Sequence, residues 1–220
     1  MVVGIVSNSD KRKLIDEVKI EKLIRILKEN KIDVEVSPYM YEDNFYNKAM
    51  IFNEYFKMNL DYIIDVSGGD LANEILNLID YDAISKSKSI YMGYSDNTCI
   101  IDAIYKMSGK QSILYRALNV VYNTKLEEQF ISYLLEGKGD LLEVNYRFIK
   151  GEELEGTLVG GNIRCLLKLV GLPYLPDFKD KILFLESLGG TETSIRSLFA
   201  TMMNLNIFNE IGRASCRERV

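Results

Sequence analysis

The 220-residue sequence contains no histidine and no tryptophan, and only three prolines. The missing histidine is the most restrictive absence. Imidazole is the side chain best suited to general base catalysis near neutral pH, so any serine-based chemistry read from these residues must say where its base comes from. Cysteine is scarce: Cys99, Cys165 and Cys216 are scattered and odd in number. They form no disulfide framework and have no metal-ligand spacing, which points to a reducing, cytoplasmic setting. No metal site and no organic cofactor is implied. No apolar run reaches membrane-spanning length. Met1-Val2-Val3-Gly4-Ile5-Val6 has no basic region ahead of it and a polar segment directly after, so it reads as a first strand and not a signal peptide. Positive charge is not in excess either. Lys and Arg total 27 against 32 Asp and Glu, a net charge of −5, which argues against a nucleic-acid partner.

What is present is a globular chain of 47% hydrophobic residues, long enough for one large domain or two small ones. Strand-like runs at Val2 to Ser7, Ile32 to Val36, Tyr62 to Val66 and Ile90 to Tyr94 alternate with helical patterns. The helices are expected from Leu14 to about Asn30, Ala49 to Met58, Leu71 to Ile79, and Ser95 to about Met107. That alternation predicts a flavodoxin-like α/β domain, a parallel sheet with helices on both faces. Ser112 to Leu118 adds a candidate strand and Lys125 to Leu135 an amphipathic helix.

Gly137-Lys138-Gly139-Asp140 is the best boundary candidate, giving a first domain over 1–140. A second, smaller and incomplete α/β domain over 141–212 is expected to hold a strand at Leu141 to Ile149 and a Gly-rich turn at Gly156 to Asn162. After these come a helix at Ile163 to Val170, a strand at Lys181 to Leu185 ending in Glu186, a turn at Ser187 to Gly190, and a helix at Glu192 to Met203. Residues 213–220 hold three Arg where Lys dominates before them, and have no apolar period. They read as a non-native tail and are left out of the fold.

The chain is organised around Ser89-Ile90-Tyr91-Met92-Gly93-Tyr94-Ser95-Asp96-Asn97-Thr98. A strand, a sharp turn and a helix put a serine at the corner, where a hydrolase exposes its nucleophile. The helix N-terminus behind it offers free N–H groups to a developing oxyanion. Asn97 stands where the second glycine of a G-x-S-x-G elbow would be, and Ser95 or Asp96 capping a helix explains the stretch equally well. Gly68-Gly69 follows the preceding strand and lies at the same sheet edge, where open α/β sheets bind ligands. Glu186, after an apolar strand, has its own plain reading: a cap for the next helix, or an ion pair with Arg164 or Arg196. Gly160-Gly161-Asn162 is explained by turn chemistry alone.

Val66-Ser67-Gly68-Gly69-Asp70, Gly93-Tyr94-Ser95-Asp96, Gly156-x-Leu158-x-Gly160-Gly161-Asn162 and Phe184-Leu185-Glu186, in this order, resemble the LD-carboxypeptidase family of serine peptidases, which includes the microcin C immunity proteins. The resemblance runs nearly to Gly212. It implies Ser95 as nucleophile, Glu186 as triad acid, an oxyanion hole from the amides of Gly68, Gly69 and Asp96, and substrate contacts at Asp70 and Asn162. It implies a triad His beyond Glu186, which this sequence does not contain, so the chain is expected to be truncated and inactive. Leu114-Tyr115-Arg116-Ala117 departs from a His-Gly-Pro-like turn of many relatives. The implied substrate is a small peptide or peptidyl-nucleotide, either the L,D bond of a murein tetrapeptide in peptidoglycan recycling or a microcin C-type aminoacyl-adenylate analogue. A homodimer is implied by the same likeness. From another class, the residues also fit a non-catalytic, flavodoxin-like ligand-binding module.

Overall fold

A computed structural model describes residues 1–137, 139–141, 147–149, 153, 155 and 156–219, with 213–219 as backbone only. The first unit is a parallel sheet in the order β2-β1-β3-β4-β5. Its strands are β1 (Val2–Val6), β2 (Asp33–Val36), β3 (Tyr62–Asp65), β4 (Ile90–Gly93) and β5 (Ile113–Leu114). This is the flavodoxin-like order. The central strands are buried on both sides, as a sheet covered by helices requires. Their side chains alternate between two cores. Val3, Ile5, Tyr62, Ile64 and Met92 join one cluster; Val6, Ile63 and Tyr91 join the other.

Helix α1 (Glu17–Glu29) places Ile20, Leu23, Ile26 and Leu27 on the first face. Beside it lie a 3-10 segment (Ala117–Tyr122) and the helix over Thr124–Glu136. The second face is covered by α2 (Phe45–Lys57), a 3-10 segment (Ala72–Leu78), α3 (Tyr81–Lys86) and α4 (Thr98–Ser108). The helix over Thr124–Glu136 is α5 in chain order. Asn44 and Asn123 start α2 and α5 by accepting two backbone N–H bonds each.

A second sheet, in the order β6-β7-β8, is also parallel. It is made of β6 (Leu158–Asn162), β7 (Ile182–Leu188) and β8 (Arg213–Arg219), with α6 (Ile163–Leu167), α7 (Glu192–Asn204) and the short α8 (Ile207–Glu210). Val159, Ile163, Leu166, Leu183, Leu185, Met202 and Ile207 form its core. Helix α4 joins the two units. Cys99 and Ile100 share a cluster with Cys165 and Leu169, and Tyr105 packs on the second core.

Several expected elements differ. Leu71 to Ile79 is 3-10 rather than α-helical, and α3 follows it unannounced. Only Ile113–Leu114 of the strand expected at Ser112 to Leu118 forms, because the chain turns into 3-10 structure at Ala117. Gly160 and Gly161 lie in strand β6, not in a turn. A Cβ on Gly160 would come within 2.5 Å of Phe184 O on the neighbouring strand, so the glycine permits close approach instead of a reversal. Glu186 sits inside β7, which runs on through Ser187 and Leu188. The segment set aside at 213–219 forms strand β8, registered from Ile182↔Arg213 to Leu188↔Arg219. Strand pairing uses main-chain groups that any sequence supplies, so the missing apolar period did not prevent it. The strand expected at Leu141 to Ile149 falls largely outside the described residues.

Candidate active site

Ser95 ends the β4-to-α4 corner with φ +58°. A residue with a Cβ rarely occupies this left-handed region, and holding it there costs on the order of 1 kcal/mol. The surroundings supply that constraint. Asn97 N–H donates to Tyr94 O at 3.1 Å, and Asn97 Nδ2 donates to Ser67 O at 2.9 Å. Thr98 Oγ1 donates to Ser95 O at 2.7 Å. Neither the 3-10 turn Ser95–Asn97 nor α4 takes a side-chain cap bond, so the capping role open to Ser95 and Asp96 is not used. The amide of Asp96 lies at the start of the turn, where helical N–H groups are left unspent.

The Asp96 side chain has work that its sequence position did not reveal. It is fully buried and accepts bonds from Ser9 Oγ and from Ala72 N–H, the latter at 3.1 Å. Burial pushes its pKa up, against the lowering effect of those bonds. Beneath it, Asp65 accepts from Ser67 N–H at 2.8 Å, Asn8 N–H at 3.0 Å and the Tyr91 phenol at 3.1 Å. Burial lifts the Asp65 carboxyl to about 6 despite those donors. Lys48, buried on α2, donates to Ser9 O at 2.5 Å. Its burial lowers its pKa, while Asp65 is the largest of the nearby charges opposing that change.

The Gly68-Gly69 turn is threaded between two side chains. A Cβ on Gly68 would meet the Tyr94 ring at 3.1 Å, and one on Gly69 would overlap the Asp10 carboxylate at 2.1 Å. Gly69 also has φ +151°, so both space and backbone demand glycine there. Asp10 accepts from Asp70 N–H at 3.0 Å. Asp70 itself is exposed. Lys168 Nζ donates to its carbonyl at 2.6 Å, and Arg164 lies 3.7 Å from its carboxylate. These exposed pairs contribute little stability.

Glu186 reaches the same network from the second unit. Its Oε1 accepts from Asn162 Nδ2 at 3.0 Å. Asn162 N–H donates to Thr98 Oγ1 at 2.9 Å, and Thr98 donates to Ser95 O. Ser95, Thr98, Asn162 and Glu186 are thus linked in one chain of bonds. The pairings considered for Glu186 are taken elsewhere: Arg164 faces Asp70, Arg196 faces Glu192, and Thr191 caps α7. Gly161 makes room for the link, since a Cβ there would be 2.5 Å from Thr98 Oγ1. One turn along α4, Asp102 Oδ1 accepts from Gly160 N–H at 3.0 Å, and burial raises its carboxyl to about 7. Among the described residues, no group of three or more His, Cys, Asp or Glu could hold a metal ion, and no helix is long and apolar enough to cross a membrane.

Sequence reasoning missed Ser9, Asp10, Asp65, Thr98 and Asp102. Asp65 and Asp102 carried a signal, a carboxylate inside an apolar strand or helix face. Ser9 and Asp10 carried none beyond turn composition.

The family model for the LD-carboxypeptidase N-terminal domain matches residues 3–115, and that for the C-terminal domain matches 155–212. The chain belongs to the LD-carboxypeptidase family. Among relatives, the microcin C7 self-immunity protein MccF of Escherichia coli is 25% identical over 74% of this chain and 58% of its own length. A Bacillus subtilis protein named "Probable murein peptide carboxypeptidase" is 28% identical over 57% of this chain and 42% of its own. The chain therefore spans about half the length of these curated relatives. MccF in complex with glutamyl sulfamoyl guanosine superimposes with TM-score 0.77 at 19% identity, covering 99% of this chain and 77% of that one. A muramoyltetrapeptide carboxypeptidase from Oxalobacter formigenes gives 0.76 at 17% identity, covering 100% and 78%. At such identities the superpositions establish the LD-carboxypeptidase fold.

Proposed function

We propose that this chain carries the nucleophile and the acid of a serine amide hydrolase, Ser95 and Glu186. The observation that supports this best is the left-handed backbone of Ser95 at a strand-to-helix corner, a strained conformation of the kind kept at functional sites. In the proposed reaction Ser95 Oγ attacks an amide carbon and its proton passes to a base. The oxyanion is held by the amides of Asp96 and the Gly68-Gly69 turn. The tetrahedral intermediate expels the amine, which takes the proton back from the base, and water then hydrolyses the acyl-enzyme. Glu186 orients the base, which by family resemblance is a histidine. These residues include no histidine, so the chain by itself is expected to turn over very slowly.

The substrate we propose is a small peptide amide, either an L,D-linked murein peptide or a peptidyl-nucleotide analogue. The names and bound ligands of the relatives support both. The units at 1–140 and 141–212 are the proposed domains, one holding the nucleophile and the other the acid.

A fluorophosphonate probe, with imidazole added as a free base, tests this reading. Labelling at Ser95 that is lost in Ser95→Ala is the expected result. No labelling with or without imidazole would refute it and favour a non-catalytic ligand-binding module.

A further inference from the structure

Arg116 stands at the same sheet edge as Ser95. Tyr115 N–H donates to Gly93 O at 2.8 Å, so the chain leaves β5 beside the corner that carries Tyr94 and Ser95. The Arg116 guanidinium lies over the Tyr94 ring, with Cζ 5.3 Å from its centroid. The same ring covers Gly68. A cation is thereby stacked against the wall of the proposed oxyanion site.

The charges around it are unbalanced. The Arg116 Nε is buried without a hydrogen-bond partner, and no ion pair links Arg116 to a carboxylate among the described residues. Its charged neighbours include other cations. Lys19 feels its charge, and Arg12, itself paired with Asp16 at 2.6 Å, acts on the same tyrosine together with the buried Asp65 carboxylate. A half-buried guanidinium without a counter-ion is costly. Stacking fixes its plane, and its donors match the two oxygens of a carboxylate.

We propose that Arg116 receives the free carboxylate of the substrate, at the end of the peptide released when Ser95 attacks. This deepens the hydrolase reading and rests on it. The ligand class is a peptide with an unblocked C-terminus.

The experiment is calorimetric binding to this chain of an acetylated L,D-dipeptide, compared with the same dipeptide as its C-terminal amide. The acid should bind about tenfold or more tightly than the amide, the scale of a charge-assisted hydrogen bond. Arg116→Met should abolish that preference. Arg116→Lys, which keeps the charge but loses the fork, should keep only part of it. Equal binding of acid and amide by the unaltered chain overturns the proposal, as does a preference that survives in Arg116→Met. If the methionine variant does not fold, by circular dichroism, an undiminished preference in Arg116→Lys overturns it instead. Binding of neither peptide also overturns it. Ser95 labelling then separates the two ideas: a labelled Ser95 leaves the hydrolase reading standing without Arg116, and an unlabelled one removes both.

Discussion

Replacing Asp102 with asparagine should flatten the pH dependence of stability. Asp102 lies on α4, buried, with Oδ1 accepting Gly160 N–H and Oδ2 without a hydrogen-bond partner. Burial lifts its carboxyl from an ordinary 3.8 to about 7. Below the lower value the group is protonated in both folded and unfolded chains and contributes no pH dependence. Between the two, the folded protein holds a proton that the unfolded chain has released, so stability falls as pH rises. Above the upper value both states are ionised and the loss is complete. At roughly 1.4 kcal/mol per unit, the loss is about 4 kcal/mol. Asparagine cannot titrate, yet keeps a carbonyl for Gly160 N–H. The stability of Asp102→Asn relative to the unaltered chain should therefore rise by about 4 kcal/mol between about pH 4 and about pH 8. Asp65, also raised to about 6, titrates in both proteins and cancels. Urea denaturation followed by circular dichroism across that range measures the difference. For a chain of this size it corresponds to a relative gain in Tm of about 8–16 °C at the alkaline end. Parallel stability curves would refute the reasoning, because they would mean that the buried carboxyl does not retain its proton.

Ser95→Gly should stabilise the fold by about 1 kcal/mol, by relieving the left-handed backbone, and should abolish probe labelling; denaturant midpoints and mass spectrometry check the two effects. Gly161→Ala, which forces a Cβ toward Thr98 Oγ1 at a φ of +153°, should cost about 2–3 kcal/mol, measured by the same denaturation. Thr98→Val removes the bonds to Ser95 O and Asn162 N–H; a loss of about 2 kcal/mol is expected, with slower labelling of Ser95. Phe130→Ala, fully buried in the first core from α5, should cost about 3–5 kcal/mol, and a loss under about 1 kcal/mol would mean that α5 does not belong to that core.

Much of the scaffold was legible because it follows from local pattern. The apolar runs at Val2 to Val6, Tyr62 to Val66 and Ile90 to Tyr94, each followed by a helical period, specify parallel strands. The glycines and Ser95 follow directly at the carboxyl ends of the last two of these strands. The least legible segments were those where a neighbour overrides local preference. Gly160 and Gly161 have turn composition but are drawn into β6 by close contact with β7 and Thr98. Leu71 to Ile79 has a helical period but settles into 3-10 turns.

The sequence by itself determined the alternation of strands and helices in the first unit, the serine after β4 and the absence of histidine, since each is a property of residue type and spacing. Only the tertiary structure decided what holds that corner and what it meets. The bonds from Asp96 to Ser9 and Ala72, and from Thr98 to Asn162 and on to Glu186, join residues up to 87 positions apart. The seat of Arg116 on Tyr94 likewise depends on β4 and β5 lying side by side. Such pairings arise when parallel strands bring distant loops to one edge, and no local periodicity encodes them.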